Sequence, residues 1–427
     1  MKTGWNYLES LADAACLEAL MKRIAGLPLC VAATLTACND PVRPGADYPD
    51  SPGRTSGSAV ASIAGVPTVV MTGLDNPRGL AFGPEGGLYV AEAGRGGAGP
   101  CLVMMGGALC YGPTGAVTRL RHGIQERVAT GLPSLIGPNG VAQAGPNDIA
   151  FLGLGGAHLT IGLQSDPANR ALLGKVGGGF GQLVHLPASG KWRFVVDVAA
   201  YEAAHNPDGR LNSDGTPNLD SNPYGLLAVP GGHVVTDAGA NALLHVRANG
   251  QISLLAKFHA RGTSPPRPSF APLPFDQFTD AVPTSVAVGP DGAYYVAELT
   301  GVPFTETRAN VYRVDPSEPA RLFLIDEACV GGFKAVLDIA FDPLGNLYVL
   351  QHSTGAVQQG GPGVLIRVTP SAGEGDICAR YRAGTRTTVL GGLVFPTSVA
   401  IGPDGTLYVT NRGRSVGTGE VLRVELP

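Results

Sequence analysis

FPTSVAIGPDGTLYVTN, residues 395–411, is one of six versions of a single phrase between residue 76 and the C-terminus. The others are NPRGLAFGPEGGLYVAEA (76–93), PNDIAFLGLGGAHLTIG (146–162), NPYGLLAVPGGHVVTDA (222–238), VPTSVAVGPDGAYYVAEL (282–299) and VLDIAFDPLGNLYVLQH (336–352). Equivalent positions recur 53 to 77 residues apart. Each version is a short apolar run, a Pro/Gly turn and a second β-branched or aromatic run, which predicts a hairpin of two buried strands. A hairpin cannot cover both its faces, so such units stack.

The intervals continue the pattern. A third strand is expected at 116–120, 181–186, 242–246, 310–314, 364–368 and 421–424, and a weaker fourth at 126–129, 192–197, 252–256, 321–325 and 387–390. The last repeat stops after three strands. Its fourth is supplied by TVVMTGL (68–74), which matches RVATGL (127–132) and stands just before the first copy. That strand closes the ring and removes exposed sheet edges, so cutting after Gly73 should destabilise all of it. The fold is therefore expected to be an all-β, six-bladed β-propeller with four-stranded blades, spanning residues 67–427. A β-sandwich with extra strands is the competing reading, and a sandwich has no need of one phrase six times.

Composition agrees: 62 of 427 residues are Gly and 35 are Pro, while 44% are apolar, a turn-rich chain with enough apolar residues for an extended core. The formal charge is −4, and the basic residues are scattered singly, which excludes a nucleic-acid footprint. Residues 21–38, MKRIAGLPLCVAATLTAC, have a basic start, a short apolar run and small residues before a cysteine, the form of a secretory signal. The run is too short to span a membrane. LTAC (35–38) also has the form of a bacterial lipobox, in which Cys38 carries lipid and becomes the mature N-terminus. Residues 1–38 are thus read as a signal segment with Met21 as a candidate true start, and residues 39–66, rich in Pro, Gly, Ser and Asp, as a flexible tether. The expected location is periplasmic or extracellular, anchored to the membrane through lipid, with a monomer as the expected state.

Cys16 and Cys30 fall in the removed segment. The remaining four allow three connectivities. Cys101 and Cys110 share one insertion, and Cys329 and Cys378 both lie between blades, so these pairs are favoured as disulfides in an oxidising compartment. A zinc site competes, but no CxxC or local His spacing accompanies the thiols.

The first strand of each hairpin starts, and the second ends, on one face of the ring. The connections there are long and unequal, at 94–115, 164–179, 199–221, 259–281 and 352–363, and variable loops on a rigid scaffold are where binding resides. Three aligned columns lie near that mouth. One contains Arg78, Asn147, Tyr224, Thr284, Leu337 and Thr397; the next Gly79, Asp148, Gly225, Ser285, Asp338 and Ser398; the third, at the end of the second strand, Glu92, Gly162, Asp237, Glu298, Gln351 and Asn411. The polar members are the candidate ligand-binding residues. Glu92, Asn147, Asp148, Asp237 and Glu298 are candidates to hold a divalent cation such as calcium through oxygen. The competing reading is that such residues bond the backbones of neighbouring blades. Residues 208–222, with acids and amides at alternating spacing, lack the Glu that closes an EF-hand and read as a turn-rich loop. No nucleophile elbow or HExxH is present; His352, beside the mouth column, is the best acid/base candidate and His205 a poorer one. No phosphate loop precedes a helix.

GLDNPRGLAFGPEGGLYVAEAG (73–94), GPNDIAF (145–151), DSNPYGLLAVPGG (220–232), VTDAGANALLHV (235–246) and FPTSVAIGPDGTLYVT (395–410) together resemble the ScyD/ScyE family of exported bacterial propellers, and VTDAGANALLHV is similar to an NHL repeat. The resemblance covers nearly all of 67–427. It implies the propeller fold and export, and supplies no catalytic residues. Two functions follow as expectations. The first is an envelope-anchored protein whose loop-rich face binds a small molecule, a peptide or a partner protein. The alternative is a metal-dependent hydrolase or lactonase similar to gluconolactonase-like propellers.

Overall fold

Each copy of the repeat folds into one four-stranded antiparallel sheet. The computed structural model describes residues 61–62, 65–104, 107–137, 143–212, 214–258, 261–262, 278–301, 308–317, 327–355 and 361–426. The signal segment, Cys38, most of the tether and the strand expected at 321–325 lie outside these residues. From the inside outward, blade one is Pro77–Phe82, Leu88–Glu92, Gly107–Arg121 and Ile124–Ile136. Blade two is Pro146–Phe151, Ala157–Ile161, Gln182–Leu186 and Arg193–Asp197, and blade three is Pro223–Val229, Gly232–Asp237, Ala242–Arg247 and Ile252–Lys257. Blade four is Pro283–Val288, Tyr294–Glu298, Ala309–Val314 and Val330–Phe333, and blade five is Val336–Phe341, Leu347–Gln351, Gly363–Thr369 and Thr385–Leu393. Blade six joins Val399–Ile401, Leu407–Asn411 and Gly419–Glu425 to Val66–Leu74. The inner strands touch in the circular order one to six and back to one. The fold is a six-bladed β-propeller.

Closure works as expected: Thr68 stands opposite Arg423 and Leu74 opposite Gly419 in an antiparallel ladder. Met71 and Leu74 are buried, packing with Leu80, Leu88 and Val90 of blade one as well as Val421 of blade six. The strand begins one residue inside the stretch expected as tether. Ahead of it, Ala61–Ser62 pairs in parallel with Thr387 and Thr388 of blade five, and the Gly65 N–H donates to the Val389 carbonyl at 3.0 Å.

The second strands explain why the repeat is so apolar. Leu88–Glu92, Gly232–Asp237 and Leu347–Gln351 are buried at every residue, because each lies within a sheet covered on both faces by neighbouring blades. Between blades the contact recurs as an aromatic pair: Tyr89 meets Phe151 at 4.8 Å, Tyr295 meets Phe341 at 4.9 Å, and Tyr408 meets Phe82 at 5.2 Å, all edge to face. Such pairs add about 0.5–1.5 kcal/mol beyond their burial.

The two disulfides are Cys101–Cys110 and Cys329–Cys378. The first crosses a hairpin, Cys101–Met104 against Gly107–Arg121, inserted on the mouth side of blade one. The second joins residues 49 apart, tying the edge of blade four to the helix Ile377–Arg382 ahead of the outer strand of blade five. In the chain-entropy view a loop of that length is worth about 4 kcal/mol when closed, against about 2.5 for the short one. The mouth connections also hold two 3-10 turns within Pro167–Gly179, separated by a kink at Gly174, and the helix Val198–His205, capped by Asp197, which accepts the Ala200 N–H at 2.9 Å.

That helix buries Glu202 at 1% exposure. Burial, then the charges of Asp237, Asp208 and Asp220, push its carboxyl from an ordinary 4.5 up to about 8. Burial and the charge of Asp237 likewise push Asp220 up to about 7. The native state thus keeps protons that the unfolded chain has released, and stability is lost as pH rises from about 4.5 to 8.

Two outcomes follow for stability. Deleting residues 1–74 abolishes the cooperative thermal transition read by circular dichroism, whereas deleting 1–58 preserves it: losing Met71 and Leu74 alone removes about 3–6 kcal/mol from a total of about 5–15. The melting temperature of the intact protein falls between pH 5 and 8.5, and Glu202→Gln reduces that fall by roughly 5 °C. An unchanged slope in the variant would refute the assignment.

Candidate functional site

The innermost column stitches the blades together around the axis. Asp338 of blade five accepts Ser285 Oγ of blade four at 2.5 Å, and Ser398 Oγ and the Val399 N–H of blade six at 2.6 and 2.8 Å. Ser398 Oγ in turn accepts the Leu80 N–H of blade one at 3.1 Å. Asp148 of blade two accepts the Leu226 N–H of blade three at 2.8 Å. The glycines of the column are required by close approach: a Cβ on Gly79 would lie 2.0 Å from Asp148 Oδ1, and one on Gly225 2.7 Å from the Thr284 carbonyl. Blades two and five stand opposite in a six-membered ring, so Asp148 and Asp338 meet across the axis. Burial and the charge of Asp338 hold the Asp148 carboxyl well above the usual carboxylate range. Burial also raises Asp338, against the hydroxyls of Ser285 and Ser398. Two ionised carboxylates are disfavoured there.

Toward the mouth lies a cationic layer. Arg78 is 8% exposed; it donates to Tyr224 Oη of blade three at 3.5 Å and to Gln143 Oε1. Its Nε has no hydrogen-bond partner. Arg414, in the mouth connection of blade six, lies over the Phe395 ring at 4.6 Å. Burial, then the charge of Arg78, brings Arg414 down to about 10, while Tyr224 opposes the shift. His352 of blade five is buried, donates from Nδ1 to the Pro396 carbonyl at 2.8 Å, and tilts against Phe395 at 5.2 Å. Burial, then Arg414 and Arg78, hold it at about 3. Groups from blades one, three, five and six converge only on the axis. The entrance is thus a pair of guanidiniums with a phenol and a neutral imidazole.

The rest of the outer column ties one blade to the next. Asn147 donates to the Pro223 carbonyl at 2.9 Å, Thr284 to Val336 at 3.1 Å and Thr397 to Pro77 at 2.7 Å. The third column has another task. The residue entering an inner strand is left-handed at Asn76, Ala335 and Phe395, with φ of 52°, 40° and 44°, which strains a residue with a side chain. The N–H just before it is held by the column: Asp75 by Glu92 at 2.6 Å, Lys334 by Gln351 at 2.6 Å and Val394 by Asn411 at 2.7 Å. In blade three, where no left-handed residue enters the strand, Asp237 instead accepts the Asn222 N–H at 2.6 Å and Ser221 Oγ at 2.7 Å. Glu92 is further paired with Arg127 at 2.8 Å, and Glu298 accepts Asn310 Nδ2 at 2.6 Å and Tyr312 Oη at 2.9 Å. In blade two the column alignment is off by one: Ile161, not Gly162, stands opposite Pro146 as Glu92 stands opposite Pro77, so this blade has no polar member there.

Glu92, Asp148, Asp237 and Glu298 are therefore held in separate blades by donors of their own, and with Asn147 they do not fit a single cation. Among the described residues no three His, Cys, Asp or Glu side chains are grouped to hold a metal. The oxygen-rich stretch 208–222 closes turns: Asp208 accepts the Arg210 N–H at 3.0 Å and Asn241 Nδ2 at 2.9 Å, and Asp214 the Thr216 N–H at 3.0 Å. His205 is exposed and stacks on Tyr201. Arg414, Gln143 and Phe395 were not found by column alignment. Arg414 falls in a connection with no counterpart in the other copies, and the density of arginine in NRGR, residues 411–414, was its only signal.

No family model matches the chain, and no curated protein matches it. Solved structures similar to it include a glucose dehydrogenase, 12% identical with a TM-score of 0.48, covering 85% of this chain and 100% of that one. The apo form of the soluble aldose sugar dehydrogenase from Escherichia coli is 14% identical with a TM-score of 0.48, again over 85% and 100%. The PQQ-bound aldose sugar dehydrogenase from Streptomyces coelicolor is 13% identical with a TM-score of 0.45, over 86% and 100%. None of these likenesses bears on the chemistry of the entrance.

Proposed function

We propose that the protein is an envelope-anchored propeller of the ScyD/ScyE type that binds a small anionic molecule, or an anionic group of a peptide or partner protein, at its loop-rich face. The observation that supports this is the pairing of Arg78 with Arg414. Arg78 is buried and Arg414 is mostly so, the charge of Arg78 weighs on Arg414, and Arg414 makes no ion pair among the described residues. A desolvated guanidinium without a counter-charge is costly. A carboxylate, sulfate or phosphate between the two arginines removes that cost, Tyr224 Oη can donate to it, and the Phe395 ring supplies an apolar wall. Lipid at Cys38 would tether the propeller to the membrane, in the periplasm or outside the cell. A second reading, hydrolysis of a lactone with a divalent cation, is favoured only by Asp148 and Asp338 opposing one another below the entrance.

Isothermal titration against matched carboxylated and neutral sugars tests the site: anionic members bind, and Arg414→Ala weakens them 10- to 100-fold, the value of one charge-assisted hydrogen bond of about 1.5–3 kcal/mol, with the melting temperature unchanged. Equal binding of both series, or an Arg414→Ala variant with undiminished affinity, refutes it. Lactone turnover that needs calcium and disappears in Asp148→Asn would establish the second reading instead. Cys38→Ala is expected to move the protein from the membrane to the soluble fraction.

A further inference from the structure

Four of the eight histidines gather far from the entrance, on the face that carries the short hairpin turns. His158, just after the turn of blade two, stands opposite His185 in the ladder, with rings stacked 4.8 Å apart. His233, just after the turn of blade three, brings its ring to 4.2 Å from that of His158. His245 lies on the next strand of blade three, register-paired with Val234. A cleft of about 290 Å³ opens between the two blades, lined by His158, His185, His233, Arg193, Arg247 and the turn after Arg247.

The rings are not engaged as core histidines usually are. His158 Nδ1, His185 Nδ1, His233 Nε2 and His245 Nε2 are buried without a hydrogen-bond partner among the described residues. His185 bonds the Gly155 carbonyl through Nε2 at 2.9 Å; a carbonyl only accepts, so the proton sits on Nε2 and Nδ1 is bare. Arg193 and Arg247 are exposed, and neither is in an ion pair among the described residues. The charged groups acting on the rings are these two arginines and the other histidines, with no carboxylate among them.

We propose that this cleft is a second binding site, for a compact anion of two or more negative charges such as a sulfate or phosphate group, which fills as pH falls. Arg193 and Arg247 hold the anion at the rim. As it enters, the bare ring nitrogens take up protons and become donors, so the ligand supplies the counter-charge that the cluster lacks. In its absence protonation is resisted: burial, then the neighbouring histidines, hold His158 at about 3 and His233 at about 4. Coupling between proton and anion is reciprocal, so affinity rises by up to tenfold per pH unit for each proton taken up.

Sulfate is the suitable probe, because its own charge is constant between pH 5 and 8. Titrated calorimetrically into the Arg414→Ala variant, where binding at the entrance is weakened, sulfate is expected to bind at least tenfold more tightly at pH 5.0 than at pH 7.5. Adding Arg193→Gln and Arg247→Gln abolishes this binding. Histidine ring proton shifts in the otherwise unaltered protein give a readout independent of these substitutions: sulfate raises the titration midpoints of His158 and His233. Sulfate affinity independent of pH, unmoved histidine midpoints, or undiminished binding without the two arginines overturns the proposal. So does stabilisation by zinc but not by sulfate, which would make the cluster a metal site.

Discussion

Everything in this molecule hangs on one ladder, in which Val66–Leu74 lies antiparallel to Gly419–Glu425. Blades are wedges with little stability alone, because the second strand of each is covered on both faces only by its neighbours. Only a complete circle covers those faces. The strand that completes it, Val66–Leu74, shares a sheet with the last strand of the chain, and loss of either leaves an open apolar flank. The same circular geometry brings side chains from four different blades to one axis, which is how Arg78, Tyr224, His352 and Arg414 become neighbours despite separations of up to 336 residues.

The architecture was legible because it is repeated. Six aligned phrases defined strands, faces and the borrowed strand, and the cysteine positions led to both disulfides. Side-chain roles were less legible, since a column shows which residues are equivalent and not what they touch. Glu92, Gln351 and Asn411 looked like a ring of ligands; each instead holds a backbone N–H beside a left-handed residue, and the partner belongs to a turn that precedes the phrase. Val330–Phe333, with two glycines in four residues, carries almost no strand signal and is held by pairing with Ala309–Val314. The helix Val198–His205 lay within a stretch read as loop, although its alanines and the Asp197 cap were visible signs.

The two faces differ in what fixes their charge. At the mouth, the acids of the repeat are consumed by donors within their own blades or stitched across the axis, and the cations left over are arginines, charged at any physiological pH. On the turn face the surplus is histidine, neutral until protons or an anion arrive. One scaffold thus presents a permanent and a conditional electropositive surface, and neither derives from the repeat's consensus: Arg414, His158 and His233 all sit where one copy departs from the others.

Cys329–Cys378 adds a covalent crossing to a seam that the repeat otherwise joins by noncovalent contacts alone. If the circle parts at blade six, blades can peel away in either direction, but the separation of blade four from blade five is halted by a covalent bond. What remains is a two-blade stub with its aromatic contact between Tyr295 and Phe341 still in register, a template on which the others can be relaid. Such a stub turns an opening of the ring into a reversible excursion, since the remaining blades reclose on a pair that never came apart.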